Sequence, residues 1–113
     1  MVVNVKRSRV YFTANIGLPP FSLMKLRYCV YVLRSQKDRK LYIGYSSNLK
    51  QRLSDHFNGK VDSTATRRPL DLIYCEYHSS KQDATRREGY FKTGAGKRAL
   101  KLMLCEALSD TGD

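Results

Sequence analysis

At 113 residues and 42% hydrophobic side chains, the chain has material for one core and little beyond it. Twenty-one Lys and Arg against ten Asp and Glu leave a formal charge of +11, which favours a polyanionic partner through counterion release. Nucleic acid is the first such partner and an anionic membrane surface the second, with a merely solvated basic surface as the plain alternative. Cys29, Cys75 and Cys105 are scattered and form no C-x-x-C pair, which excludes a disulfide framework and a zinc ribbon. No run approaches the ~18 apolar residues of a membrane span.

Residues 1–27 carry five basic residues and no acidic one, without a convincing helical or strand period. Asn15, Gly17, Pro19 and Pro20 interrupt the stretch after Lys6, Arg7 and Arg9. There is no continuous apolar segment of the signal-peptide kind, and a cytoplasmic protein is expected. We read 1–27 as a loosely ordered basic N-terminal arm; a second reading makes Met24 the true start. The domain proper spans 28–108, with a short tail at 109–113.

Order begins at Tyr28. The run YCVYVLR over 28–34 has apolar side chains on both alternating faces, as a strand covered on both sides would. Cys29 in this run and Cys75 in a later one are expected to be buried thiols. A short polar connection, Ser35 to Arg39, makes the strand at 40–46 its antiparallel partner. Asn48 is a good N-cap for a helix over 49–58, where Leu49, Leu53 and Phe57 repeat every four residues. Gly59 ends it. A polar, basic loop from Lys60 to Pro69 leads to a third strand over 70–78, again apolar on both faces. Ser80 and Asp83 form a capping box for a helix at 81–92. Gly94 and Gly96 break that helix, and a last one runs from Lys97 to Leu108. The order β-β-α-β-α-α predicts an α+β domain: a three-stranded, mostly antiparallel sheet flanked by helices on both faces.

Several side chains stand out against this frame. Ala84, Glu88 and Phe91 are spaced i, i+4, i+7, so they share a helix face, and the two apolar ones turn that face to the sheet. A carboxylate there is costly unless it is paired or binds a metal. Its structural alternative is a salt bridge or a place at the rim. Arg52 and His56 are i, i+4 neighbours beside the Leu49/Leu53/Phe57 stripe, at the edge of the core. They suit a phosphate clamp with an imidazole next to it, or an ordinary solvated flank. Tyr31 shares a strand face with Cys29 and Leu33. Tyr42 shares one with Gly44, where a missing side chain marks close approach of a ligand, or a packing gap.

These residues spell a pattern. Cys29-Val30-Tyr31 is similar to a GIY element that has lost its glycine, and Tyr42-Ile43-Gly44 is an intact YIG element eleven residues on. The stretch from Tyr42 through Ser46, Asn48 and Leu49 to Arg52 resembles the YIG-x-S-x-N-L-x-x-R run of GIY-YIG endonucleases. His56 stands where that family carries His or Tyr, and Glu88 where it carries a single metal-binding glutamate. The resemblance covers about residues 28–104, and it is nearest to small stand-alone bacterial members, similar to the incision domain of the excision-repair nuclease.

The resemblance implies a phosphodiester hydrolase acting on DNA, with RNA also open, in repair or recombination, and structure-selective or weakly specific. Glu88 would hold one divalent cation, Mg²⁺ or Mn²⁺, which suits carboxylate and phosphate oxygens. Arg52 would neutralise charge on the phosphate. Tyr42, ahead of Tyr31, would deprotonate the attacking water, though a free phenol with a pKa of ~10 needs help from Arg52 or the metal. His56 is the alternative base, or orients the water. Gly44 and two basic sets are the nucleic-acid contacts: Lys60, Arg67 and Arg68 in the loop, and Lys92, Lys97 and Arg98 around the Gly94-Ala95-Gly96-Lys97 turn. That turn lacks the upstream glycine and the Ser or Thr of a phosphate loop, so it reads as a helix stop and start. His78 is expected at the surface. The rival function is a non-catalytic nucleic-acid-binding module of the same fold.

Overall fold

The structure, a computed structural model, describes residues 2–3 and 26–109. Its elements are β1 (Val2–Val3), β2 (Tyr28–Ser35), β3 (Leu41–Ser46), α1 (Leu49–Phe57), α2 (Asp62–Ala65), β4 (Leu70–His78), α3 (Lys81–Phe91) and α4 (Gly94–Met103). The three long strands are the expected ones, all antiparallel, with β2 in the middle. One strand is an addition: Val2 and Val3 pair with Glu76 and Cys75 along the outer edge of β4. That edge offers unpaired N–H and C=O groups, and a Val-Val step suits them. The readings of residues 4–25 as a loose arm, of Met24 as a start and of 110–113 as a tail lie outside the described residues.

Both sheet faces are covered, as the two-sided apolar strands require. On one face Val30, Val32, Ile43, Tyr74, Ala84, Phe91 and Leu100 form a buried cluster beneath α3 and α4. On the other, Cys29, Tyr31, Leu33, Leu70 and Cys75 are buried, with Leu49 and Leu53 of α1 packed on them. Cys29 and Cys75 are buried free thiols. A bulge in β4 reconciles the two sets. Val32 pairs with Tyr74 but Leu33 with Leu72, leaving Ile73 as the extra residue. Side chains alternate along a strand, so one extra residue reverses their facing. Leu70 and Leu72 before it therefore share the α1 face with Cys75 and Tyr77 after it.

The helices begin as capping chemistry dictates, with one correction. Asn48 accepts a hydrogen bond from the Gln51 N–H, and Ser80 from the Asp83 N–H. The last helix, expected from Lys97, begins at Gly94 because Thr93 caps it by accepting from the Gly96 N–H at 3.0 Å. It ends at Met103 and the chain continues in turns to Leu108. Gly96 is buried where a Cβ would collide with the Tyr90 carbonyl. Its lack of a side chain is what lets α4 close on α3. The loop at 60–69, expected without structure, contains the single turn α2.

Candidate active site

The β2–β3 hairpin pairs Tyr31 directly with Gly44, and a Cβ on Gly44 would run into the Tyr31 ring. Close approach by a neighbouring phenol therefore explains this glycine. Tyr42, two residues before Gly44, turns to the same face, and its ring centre lies 6.3 Å from that of Tyr31. Helix α1 delivers the rest. His56 meets both tyrosines edge-on, with ring centres 5.6 Å from Tyr31 and 5.0 Å from Tyr42. The Tyr31 hydroxyl and His56 Nε2 are 2.8 Å apart. On the other side of the imidazole, Nδ1 lies 2.8 Å from Oγ1 of Thr64, supplied by α2.

The burial of these groups differs from the expected edge position. His56 is 0% exposed, whereas Phe57, assigned to the core stripe, is 45% exposed. The inward line of α1 is Leu49, Leu53 and His56, spaced i, i+4, i+7. Both that spacing and the one ending at Phe57 fit a helix face. The imidazole takes the inner place because a partner waits at each ring nitrogen, which a buried polar ring requires. Wholly buried, His56 has no surface open to bulk water.

Arg52, one turn before His56, is partly buried, and the Tyr31 and Tyr42 phenols beside its guanidinium raise its pKa. Burial pushes the Tyr31 phenol up to about 12, against the opposing pull of the neighbouring Arg52 guanidinium. Burial also lowers the His56 pKa, and the Arg52 charge adds to that, so the imidazole is held neutral. Tyr31 is 0% exposed and Tyr42 half-buried, so of the two phenols Tyr42 is the one open to an incoming molecule.

Glu88 comes from α3, with Ala84 and Phe91 fully buried on either side. Its own side chain is 23% exposed and takes an ion pair from Lys92 Nζ at 3.1 Å. It thus stands at the rim of the α3 face, and its negative charge is felt at both Tyr31 and Tyr45. Among the described residues no group of three or more His, Cys, Asp or Glu side chains gathers to cage a metal. A single rim carboxylate, whose partner is an exposed lysine free to swing away, fits a hard cation. Mg²⁺ keeps most of its waters and takes one or two carboxylates plus phosphate oxygens.

The expected nucleic-acid contacts do not form one patch. Lys60 and Arg68 are exposed beside the α1–α2 end, Arg68 holding the Ala65 carbonyl at 2.9 Å. Arg67 turns inward instead, against Asp38 at 3.4 Å and the Leu41 carbonyl. Lys97 and Arg98 belong to α4, in the opposite layer. There Lys97 lines a cleft of about 320 Å³ with Arg39, Lys40 and Lys101.

Two residues escaped the sequence reading. Thr64 carries no sequence signal beyond its hydroxyl. Glu76 did carry one, as the single acid inside an otherwise apolar and aromatic stretch of β4. It is 4% exposed on the α3 face. It accepts from the Tyr74 hydroxyl at 3.0 Å, His78 Nε2 at 2.7 Å and Arg87 Nε at 3.1 Å. His78, expected at the surface, is thereby drawn into the structure.

The pairing of two phenols, an arginine and a histidine under a YIG strand agrees with the outcome of comparison: residues 27–101 match the GIY-YIG catalytic domain. The chain belongs to the GIY-YIG family. It is 41% identical over 78 residues to a UPF0213 protein of Staphylococcus haemolyticus, an alignment covering 68% of this chain and 94% of that one. A UPF0213 protein of Clostridium perfringens is 34% identical over 82 residues, covering 72% and 87% respectively. One from Streptococcus agalactiae is 41% identical over 71 residues, covering 62% and 80%. No solved structure matches the chain. GIY-YIG membership places the protein in a nuclease family whose substrates are nucleic acids and whose members typically use a divalent metal. Among the described residues no helix is long and apolar enough to cross a membrane.

Proposed function

We propose that this GIY-YIG protein is a divalent-metal-dependent DNA endonuclease, structure-selective or weakly sequence-specific, working in the cytoplasm in repair or recombination. The observation that carries the reading is the convergence of Tyr31, Tyr42, Arg52 and His56 on one sheet face, within electrostatic reach of the Glu88 carboxylate. A protein that only bound DNA would gain nothing from a carboxylate facing a polyanion.

Each residue has one task. Arg52 grips a non-bridging phosphate oxygen and neutralises the charge that builds there. Tyr42, the accessible phenol, takes the proton from the attacking water. In this role Tyr42 acts as its phenolate, with the Arg52 guanidinium beside it. Tyr31 and His56 hold Arg52 from behind. Glu88, with Lys92 displaced, would hold Mg²⁺ or Mn²⁺, which would supply Lewis-acid polarisation of the phosphate and charge for the departing 3′-oxygen. Lys60 and Arg68 contact backbone phosphates on the same side as Arg52. Lys92, Lys97 and Arg98 would serve a second stretch of a long or branched substrate.

The deciding assay is cleavage of labelled single-stranded, duplex and branched DNA with Mg²⁺ or Mn²⁺, comparing wild type with Glu88→Ala. Metal-dependent cutting that the variant loses supports the reading. Cutting retained by Glu88→Ala removes the metal assignment. Binding without cutting by either protein makes this a non-catalytic module.

A further inference from the structure

We infer that Thr64 is a positioning residue, which sets the direction of a hydrogen-bond chain running from the Val61 carbonyl through His56 and Tyr31 to Arg52. The inference rests on the nuclease reading only in its last link, where Arg52 faces the phosphate.

The argument is one of counting protons. A neutral imidazole has a single N–H, and a hydroxyl has one proton to give. Thr64 is wholly buried, with Oγ1 2.8 Å from His56 Nδ1 and 3.4 Å from the Val61 carbonyl oxygen. Place the imidazole proton on Nδ1 and every donor finds an acceptor. Nδ1–H donates to Thr64 Oγ1, and the Thr64 hydroxyl donates to the Val61 carbonyl. Nε2 is then a bare acceptor for the Tyr31 hydroxyl at 2.8 Å. The Tyr31 oxygen keeps its lone pairs for Arg52, which can only donate.

The opposite tautomer breaks this order. With the proton on Nε2, the Tyr31 oxygen receives donors from both His56 and Arg52, and its own proton needs another acceptor. Tyr31 is 0% exposed, so bulk water does not supply one. Among the described residues, the hydrogen-bond partner of its hydroxyl is His56 Nε2. A protonated imidazole fails in the same way, since it too donates at Nε2, and it would set a second positive charge beside Arg52. Only the Nδ1–H form leaves the phenol oxygen turned, lone pairs outward, toward the guanidinium.

The consequence reaches the reacting end of the site. Arg52 lies on the exposed side of the chain, and its aim depends on a phenol whose orientation is set by a hydroxyl two residues further along. Fixing an imidazole tautomer through the partner of its other nitrogen is a common device in histidine sites. Here the device ends on a guanidinium. Thr64 touches no reacting atom.

Imidazole nitrogen NMR of the metal-free, DNA-free protein tests the chain. Wild type and Thr64→Ser should show His56 protonated at Nδ1 and bare at Nε2, whereas Thr64→Val, lacking the acceptor, should shift the proton to Nε2. A wild-type proton on Nε2, or a Thr64→Val spectrum like wild type, overturns the inference. In the cleavage assay Thr64→Val should lose about tenfold to a hundredfold in kcat, the scale seen when a partner orienting an imidazole is removed. KM should change little, and Thr64→Ser should restore the rate. A switched tautomer with kcat intact would overturn the link to Arg52. Absence of cutting by the wild type would count against the nuclease reading alone, because the spectrum needs neither substrate nor metal.

Discussion

The two faces of the sheet each hold a buried polar cluster, and they are finished differently. Under α3, the Glu76 carboxylate is closed off by Tyr74, His78 and Arg87. Under α1, the polar line from Thr64 through His56 and Tyr31 ends on Arg52 and lies against Tyr42, both partly exposed. A closed cluster holds a fold together, because opening it strands a charge. An open-ended one has a group left over to meet something else. Histidine occurs in both, so residue type alone does not separate them; the state of the last donor does.

Substitutions can break the contrast. Glu76→Ala should be the most damaging to the fold, costing about 3 kcal/mol, the lower end of the cost of removing one partner of a buried pair, since Arg87 is a third exposed and can turn to water. The check is the urea midpoint, with cleavage per folded molecule unchanged; a stable protein that lost activity would mean the closed cluster serves the reaction. Arg52→Ala should do the reverse. It should lower kcat about a hundredfold, or about 2.7 kcal/mol of transition-state stabilisation, while shifting stability by no more than about 0.5–1 kcal/mol, as for a partly exposed site. The smallest effect is that of pH. His56 has a native pKa below its unfolded value of ~6.5, so the unfolded state binds the proton first. Its contribution to stability is complete above ~6.5 and is lost as pH falls from there through the lowered native value. Urea midpoints at neutral and mildly acidic pH, compared between wild type and His56→Gln, should show a slope that the variant lacks.

Much of this was legible in the sequence, for reasons that differ by residue. The strands at 28–35 and 70–78 were readable because both faces are apolar, and this foretold helices in two layers. The direction of Tyr31, Tyr42 and Gly44 followed from strand alternation alone. Spacing to Ala84 and Phe91 put Glu88 on the helix face turned to the sheet; its place at the rim, paired with Lys92, is the alternative that spacing left open. Periodicity failed where two registers of one helix fitted the spacing equally and the more apolar one was the wrong choice. Choosing between His56 and Phe57 required the hydrogen-bond partners on β2 and α2, which no local window contains. The start of α4 was misplaced because glycines were read as breakers, although Thr93 could cap the helix and Gly96 was needed for packing on Tyr90. Arg67 was grouped with its neighbour Arg68, but Asp38 and the Leu41 carbonyl draw Arg67 inward, and only Arg68 faces outward.

The bulge at Ile73 has a consequence for how the gene can change. Loops absorb gained or lost codons readily, but β4 contains a position where a single-codon deletion would act like a frame slip in three dimensions. Without the extra residue, the strand ends on either side of it could no longer keep their present sides together. Either Leu70 and Leu72 would turn toward α3, or Glu76 would swing beneath α1, beside the tyrosines, leaving Arg87 and His78 behind. Lineages carrying this strand are expected to hold its length fixed even where its side chains change.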